Sequence, residues 1–234
     1  MINRNRKRVV NKKNNPNISC ILCDSKQCIL LGNKIFLKKY RRNIYKCKCC
    51  KLCFVNKPYW LQEAYSIIYK NNPDSGRFLR ADIVSEFVKK NFDTNLSILD
   101  FGSGSEMILK QKLQNDYSNY TCYDKHHTSI CDESILNKHY DLFISIEVLE
   151  HIENCKDFFD KYHSIGNTFL FSTCLYGNNH VPNWYYLLQD FGQHISFYHS
   201  QTFDYIAKKY NFNVNIIQNN RAFGLTFIIL SKKE

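Results

Sequence analysis

The sequence predicts an α/β protein in which a doubly wound, mostly parallel sheet closes with an antiparallel strand pair and follows a small cysteine-rich module. Three observations carry this. From residue 97 onward short apolar runs alternate with stretches of helical spacing, the pattern of parallel strands joined by crossover helices. The last stretch, NVNIIQNNRAFGLTFIIL, sets two strand-like runs about a polar NNR turn with no room for a helix, so these two strands should pair antiparallel. Seven of the eleven cysteines fall between residues 20 and 53.

The bulk properties bound the class. With 44% apolar and 15% aromatic residues in 234, the chain has the material for a packed core rather than a disordered one. No apolar run approaches the roughly 18 residues of a spanning helix. The opening MINRNRKRVVNKKNN offers no apolar stretch for a signal peptide, so a cytoplasmic location is expected. Residues 1–57 hold 16 basic side chains against one acid, Asp24, which is more than the whole net charge of +11. Such asymmetry points to an anionic partner: RNA, a phosphorylated sugar carrier or a membrane surface. A merely solvated basic tail is the alternative. The expected division is a disordered basic tail over 1–17, a zinc-ribbon-like domain over 18–57, a helical connector over 58–95 and the α/β domain over 96–234.

Within the front module, Cys20-x-x-Cys23 and Cys47-x-x-Cys50 flank a stretch with hairpin potential, the paired-knuckle spacing of a four-cysteine zinc site. Four thiolates around Zn²⁺ leave a charge near −2 that Lys46, Lys48 and Lys51 can partly offset. Four sulfur ligands leave no open position, so the metal is expected to be structural. Cys28 competes as a ligand in the first knuckle and Cys49 and Cys53 in the second, and free buried cysteines are the non-metal alternative.

In the connector, PYWLQEAYSIIY places Leu61, Ala64, Tyr65 and Ile68 at helical spacing, which reads as a buried helix face. Strands are expected over 98–101, 120–123, 142–146, 168–172, 214–218 and 225–230, with helices near 106–114, 155–165 and 201–210.

Ligands of doubly wound sheets bind at the carboxyl ends of the strands, where Gly102-x-Gly104 lies. A dinucleotide fingerprint would need glycine at Met107, and a P-loop would need Gly-Lys-Ser/Thr, which is absent. Glu106 near the following helix start repels phosphate. S-adenosylmethionine fits better, since it has no phosphate and carries cationic ammonium and sulfonium groups. Asp124, at the next strand end, is placed to accept the ribose hydroxyls.

These residues resemble the class I S-adenosylmethionine-dependent methyltransferases, and more narrowly the type 11/23-like bacterial proteins that join a cysteine ribbon to such a domain. The segments that carry the likeness are the two Cys-x-x-Cys pairs, PYWLQEAY (58–65), DSGRFLR (74–80), LDFGSG (99–104), YDK (123–125), YDLFISIEVLEHIEN (140–154) and WYYLLQDFGQHISFY (184–198). The resemblance implies a Rossmann-like methyltransferase sheet and a donor held by Asp100, Gly102, Ser103, Gly104, Asp124, Glu147 and Arg80, the arginine pairing with the methionine carboxylate. It also implies an association with polysaccharide or sugar biosynthesis. Two features depart from it: Glu106 stands where the family's loop usually has a third glycine, and the sixteen residues between Asp124 and Asp141 leave little space for a third strand and helix. The adenine pocket then has Ile130, Cys131 and Asp132 as its material.

Methyl transfer is an in-line displacement that chiefly needs alignment, together with a base where the nucleophile is a hydroxyl. His151, in EVLEH, and His194, in GQHISFY, are the candidate bases, with a structural ring as the plainer reading of each. Glu147 and Glu150 also suit capping or loop fixing, while His126, His127 and His180 lack supporting context. Trp184, Tyr185 and Tyr186 are placed to stack on an acceptor or to pack the segment. Three functions follow: a small-molecule methyltransferase acting on a hydroxyl or amine of a sugar or a nucleotide- or lipid-linked sugar, an RNA methyltransferase docking through the basic module, and a degenerate fold that only binds.

Overall fold

The computed structural model describes residues 17–71, 76–219 and 225–233, of residues 67–71 the backbone alone. The expected tail (apart from Asn17), Ile68 on its helix face, the start of DSGRFLR and most of the NNR turn lie outside what is described.

The front module is built on a hairpin, β1 (Cys28–Phe36) and β2 (Tyr40–Cys47), followed by a short strand β3 (Cys53–Val55). Two helices come next, α1 (Leu61–Asn71) and α2 (Gly76–Asn91). The α/β part then runs β4 (Ile98–Phe101), α3 (Ile108–Leu113), β5 (Tyr120–Tyr123), β6 (Tyr140–Ile146), α4 (Cys155–Tyr162), β7 (Gly166–Thr173), β8 (Ser196–Phe197), α5 (Ser200–Tyr210), β9 (Phe212–Gln218) and β10 (Thr226–Lys232).

Six strands form the main sheet in the order β5-β4-β6-β7-β10-β9. The first four are parallel, and β10 lies antiparallel between β7 and β9. The expected alternation and the antiparallel end are both present. Local chemistry explains the borders of the helices: Asn154 accepts from the Asp157 N–H at the start of α4, and Asn211 takes the left-handed φ of 60° that ends α5. No third strand stands between β5 and β6. A 3₁₀ turn, Glu133–Asn137, fills that interval, and the Asp132 side chain is committed to capping it through the Ser134 N–H.

The front module is not a free-standing bead. Strand β8, from the far side of β7, pairs with β3 to make a four-stranded sheet β1-β2-β3-β8. Cys20, Leu22, Tyr45 and Phe54 share one apolar cluster with Phe143, Phe171 and Tyr198 of the α/β part. So small a segment buries little apolar surface by itself, and sharing a core supplies what it lacks. In α1, Ala64 is buried and Leu61 and Tyr65 are half-buried, in keeping with the expected face.

Candidate functional site

Two places gather chemistry. In the first, Cys20, Cys23, Cys47 and Cys50 bring their sulfurs within 4.8 Å of one another, with Cys20 facing Cys50 and Cys23 facing Cys47 at 3.5 Å. Tetrahedral Zn–S bonds of about 2.3 Å separate ligand sulfurs by roughly 3.8 Å, so this group could hold such an ion. Thiol hydrogen bonds, that of Cys20 foremost, draw Cys47 far below the usual thiol range, whereas Cys20 and Cys50 are pushed far above it by their sulfur neighbours. Crowded sulfurs thus hold some of these thiols protonated, and a dication would let all four ionise. The competing cysteines stand outside the four-sulfur group: Cys28 donates to the Ser25 carbonyl with its thiol pushed far up by neighbouring Cys47, exposed Cys49 meets Ser25 Oγ at 3.1 Å, and Cys53 is buried in β3.

The second place is the carboxyl edge of the parallel strands. Gly102 turns the chain with φ 82°, and both its N–H and that of Ser103 donate to the Tyr123 carbonyl. A Cβ at Gly102 would fall 2.5 Å from Val148 Cγ2, so a side chain is excluded by contact as well as by φ. Gly104, φ 69°, donates its N–H to Asp124 Oδ2 at 3.0 Å, and Asp124 Oδ1 accepts from the His126 N–H. The loop after β4 and the end of β5 are thus locked together. Glu106 borders the cleft at this turn together with Arg77, its carboxylate paired with that arginine at 2.9 Å.

Two cavities meet at this turn. One of about 320 Å³ is lined by Arg77, Arg80, Asp100, Ser103, Gly104 and Ile146. The other, about 810 Å³, is lined by Phe101, His126, Glu147, Val148, His151 and Tyr162, and Gly102 and Asp124 border both. All seven expected donor contacts border one or both of these spaces. Burial pushes the Asp100 carboxyl up to about 7, against the lowering effect of the Tyr120 hydroxyl that donates to it at 2.9 Å.

Glu147 and His151 line the larger cavity, and buried Glu150 and His194 join them from behind. Glu147, in a left-handed φ of 53°, accepts from Ser172 Oγ at 2.9 Å and from the Tyr186 hydroxyl at 2.8 Å. The same Tyr186 hydroxyl contacts Glu150 Oε1. One phenolic proton cannot serve both carboxylates, so the pair calls for an added proton or a cation. Burial, then the neighbouring Glu150, pushes Glu147 up to about 7, and burial raises Glu150 likewise. His194 Nδ1 donates to the Tyr186 carbonyl at 2.7 Å, leaving Nε2 bare and 4.0 Å from Glu150 Oε1. Burial holds His194 down to about 4, so that approach is no ion pair at neutral pH. The His151 ring stands perpendicular to His194 with centroids 4.9 Å apart, and burial holds it well below the usual imidazole range. Glu150 Oε2 and His151 Nδ1 are buried without a hydrogen-bond partner, and Glu150, His151 and His194 could together hold a metal ion.

The expected aromatic platform is placed differently. Trp184 and Tyr186 are 8% and 7% exposed, packed against each other and, for Trp184, against Phe197; among the three only Tyr185, 64% exposed, presents a free face. Sequence reasoning left Glu150 out of the site. The signal was present in Glu147-x-x-Glu150-His151, where i and i+3 share one side of a helical turn, but its partner His194 lies 43 residues beyond His151.

The family model described as "Methyltransferase domain" matches residues 75–215, more than half of the chain. No curated protein sequence matches it. Among solved structures, the mitomycin 7-O-methyltransferase MmcR is 12% identical, with a TM-score of 0.52 over 68% of this chain and 55% of that one. The methyltransferase domain of bacterial CtHen1 is 18% identical, with a TM-score of 0.47 over 68% of this chain and 99% of that one. The magnesium protoporphyrin IX methyltransferase of Synechocystis PCC 6803 with bound S-adenosylmethionine is 12% identical, with a TM-score of 0.47 over 75% of this chain and 94% of that one. Among the described residues no helix is long and apolar enough to cross a membrane.

Proposed function

Because the chain belongs to the methyltransferase domain family, we propose that it transfers a methyl group from S-adenosylmethionine to a hydroxyl of a small, phosphate-bearing acceptor, such as a nucleotide- or lipid-linked sugar. The observation that carries the reading is the meeting of two spaces at Gly102 and Asp124, one lined by Arg77 and Arg80 and the other ending on a buried acid and histidine cluster. The donor's ribose falls to Asp124, its methionine carboxylate to the arginine side and its adenine to the Phe101 and Val148 side. Its sulfonium then faces the Glu147 end.

The proton of the hydroxyl passes to Glu147 in this reading. Glu147 lines the cavity and burial raises its carboxyl, whereas the His194 Nε2 faces Glu150 and burial holds that ring down. The two histidines have another use. With neutral rings, a bare His194 Nε2 and the orphaned Glu150 Oε2 and His151 Nδ1, the group fits a divalent cation. Such an ion, when bound, polarises the acceptor oxygen and lowers its pKa. Tyr186 and Ser172 hold Glu147 in place, and burial keeps water from the cluster. In the ribbon, Cys20, Cys23, Cys47 and Cys50 fit a structural Zn²⁺.

Calorimetry with S-adenosylhomocysteine should give one site per chain, weakened about 10- to 100-fold by Asp124→Ala, the loss of one charge-assisted hydrogen bond to the ribose. Manganese binding read by electron paramagnetic resonance should vanish in Glu150→Gln. With tritiated donor and a panel of phosphorylated sugars, Glu147→Gln should stop methyl transfer while keeping donor affinity. A stable chain that binds no donor would refute the enzyme reading and leave a binding module.

A further inference from the structure

The ribbon carries a second pocket, apart from the donor cleft. A cavity of about 370 Å³ opens where β1, β2 and β3 meet the loop that follows β7. Its floor includes the Tyr176 ring, and Lys46, Lys48, Lys51, Asn178 and Asn179 stand around it. No aspartate or glutamate lines it, and among the described residues none of the three lysines forms an ion pair.

The walls are held in place. The Tyr176 hydroxyl donates to the Lys51 carbonyl, Lys51 Nζ donates to the Lys48 carbonyl at 2.7 Å, and Lys46 Nζ lies 5.0 Å from the Tyr176 ring centroid. Nor are these charges all committed to the metal ligands. Successive side chains of a strand point to opposite faces, so Lys46 lies across β2 from Cys47, on the face of its cross-strand partner Cys53.

We propose that this pocket binds a phosphate group, with the three lysines as counter-charge and Asn178 and Asn179 as neutral donors. Ammonium groups gathered around so small a space repel one another. A multivalent oxyanion relieves that repulsion, where a single carboxylate brings too little charge. The place suits an acceptor's handle: Cys53 of the pocket pairs with Phe197 of β8, three residues along the chain from His194. That last assignment rests on the methyltransferase reading, whereas the pocket itself does not.

The test uses the full chain purified with zinc and three probes: inorganic phosphate, glucose 1-phosphate and a fluorescein-labelled 12-nucleotide RNA. The sugar phosphate should bind, and Lys46→Gln/Lys48→Gln should weaken it at least tenfold. Melting temperature and S-adenosylhomocysteine affinity should not move. Lys26→Gln/Lys38→Gln, equal in charge and outside the pocket, should bind as the parent does. RNA binding no more than about tenfold tighter than the sugar phosphate assigns the group to a small ester. RNA binding far more tightly, with a salt slope that falls by about one in the pocket variant, assigns it to a nucleic-acid backbone. The proposal is overturned if no probe binds at low salt, or if the pocket variant binds them as the parent does. Failure of S-adenosylhomocysteine to bind, with the phosphate result intact, would remove the methyltransferase reading alone.

Discussion

Replacing Gly102 by alanine isolates the contact on which the donor turn depends. Two costs add. The left-handed φ of 82° costs a residue with a Cβ about 1–2 kcal/mol. The new Cβ would also lie 2.5 Å from Val148 Cγ2, closer than real Cβ contacts allow, and overpacking of this kind costs about 1–3 kcal/mol. Gly102→Ala should therefore lose about 2–5 kcal/mol. Gly104→Ala, at φ 69° with nothing within 4 Å of its Cβ, should lose only the first part. Urea unfolding of the two variants and of Gly102→Ala/Val148→Ala measures the difference, since trimming Val148 should return about 1–3 kcal/mol of the clash but none of the φ strain. Gly102→Ala should also weaken S-adenosylhomocysteine roughly tenfold or more, because the strain is relieved by moving the loop that borders both cavities. Equal costs for the two glycines, or no coupling between Gly102→Ala and Val148→Ala, would refute the close-contact argument.

Other outcomes follow from the same geometry. Chelation at neutral pH, or Cys50→Ser, should remove one zinc per chain and expose the β1–β3 sheet to proteolysis, read by metal analysis and mass spectrometry of the fragments. Asp100, with a native value of about 7 against an ordinary 3.8, holds its proton longer in the folded chain. Its contribution is thus fully present below about 3.8 and is lost as pH rises toward 7, by up to about 4 kcal/mol, so Asp100→Asn should flatten the fall in stability across that window. Tyr186→Phe removes the hydroxyl that both Glu147 and Glu150 contact, and should cost about 1–3 kcal/mol in chemical denaturation, more at pH 8 than at pH 5 because the carboxylates are then charged.

Much of the architecture could be read from residue order, and the reason is local. Strand β4 falls on 98–101 and β5 on 120–123 as expected, because short apolar runs bounded by polar turns leave few alternatives. The neighbouring strands grow by a residue or two at their ends, where pairing rather than composition sets the limit: β6 begins at Tyr140 and β7 at Gly166. Strand β8 escaped notice, since two residues carry no periodicity and Ser196–Phe197 becomes a strand only by pairing with β3. The aromatic segment 184–186 reads equally well as a platform or as packing, and burial against Phe197 decides for packing in Trp184.

The sequence alone determined the features whose parts are close in the chain: paired cysteines with two residues between them, a glycine turn with an aspartate at the next strand end, and a basic first quarter that an anion would seek. Tertiary structure decided what depends on distance through space. It paired Glu106 with Arg77 at the wall of the cleft, set Glu150 beside His194, and brought Asn178 and Asn179 to the lysines of the ribbon. Spacing along a chain fixes only neighbours within a few residues. Which distant groups share a buried space, and so lose water and shift their proton affinities together, is fixed by packing.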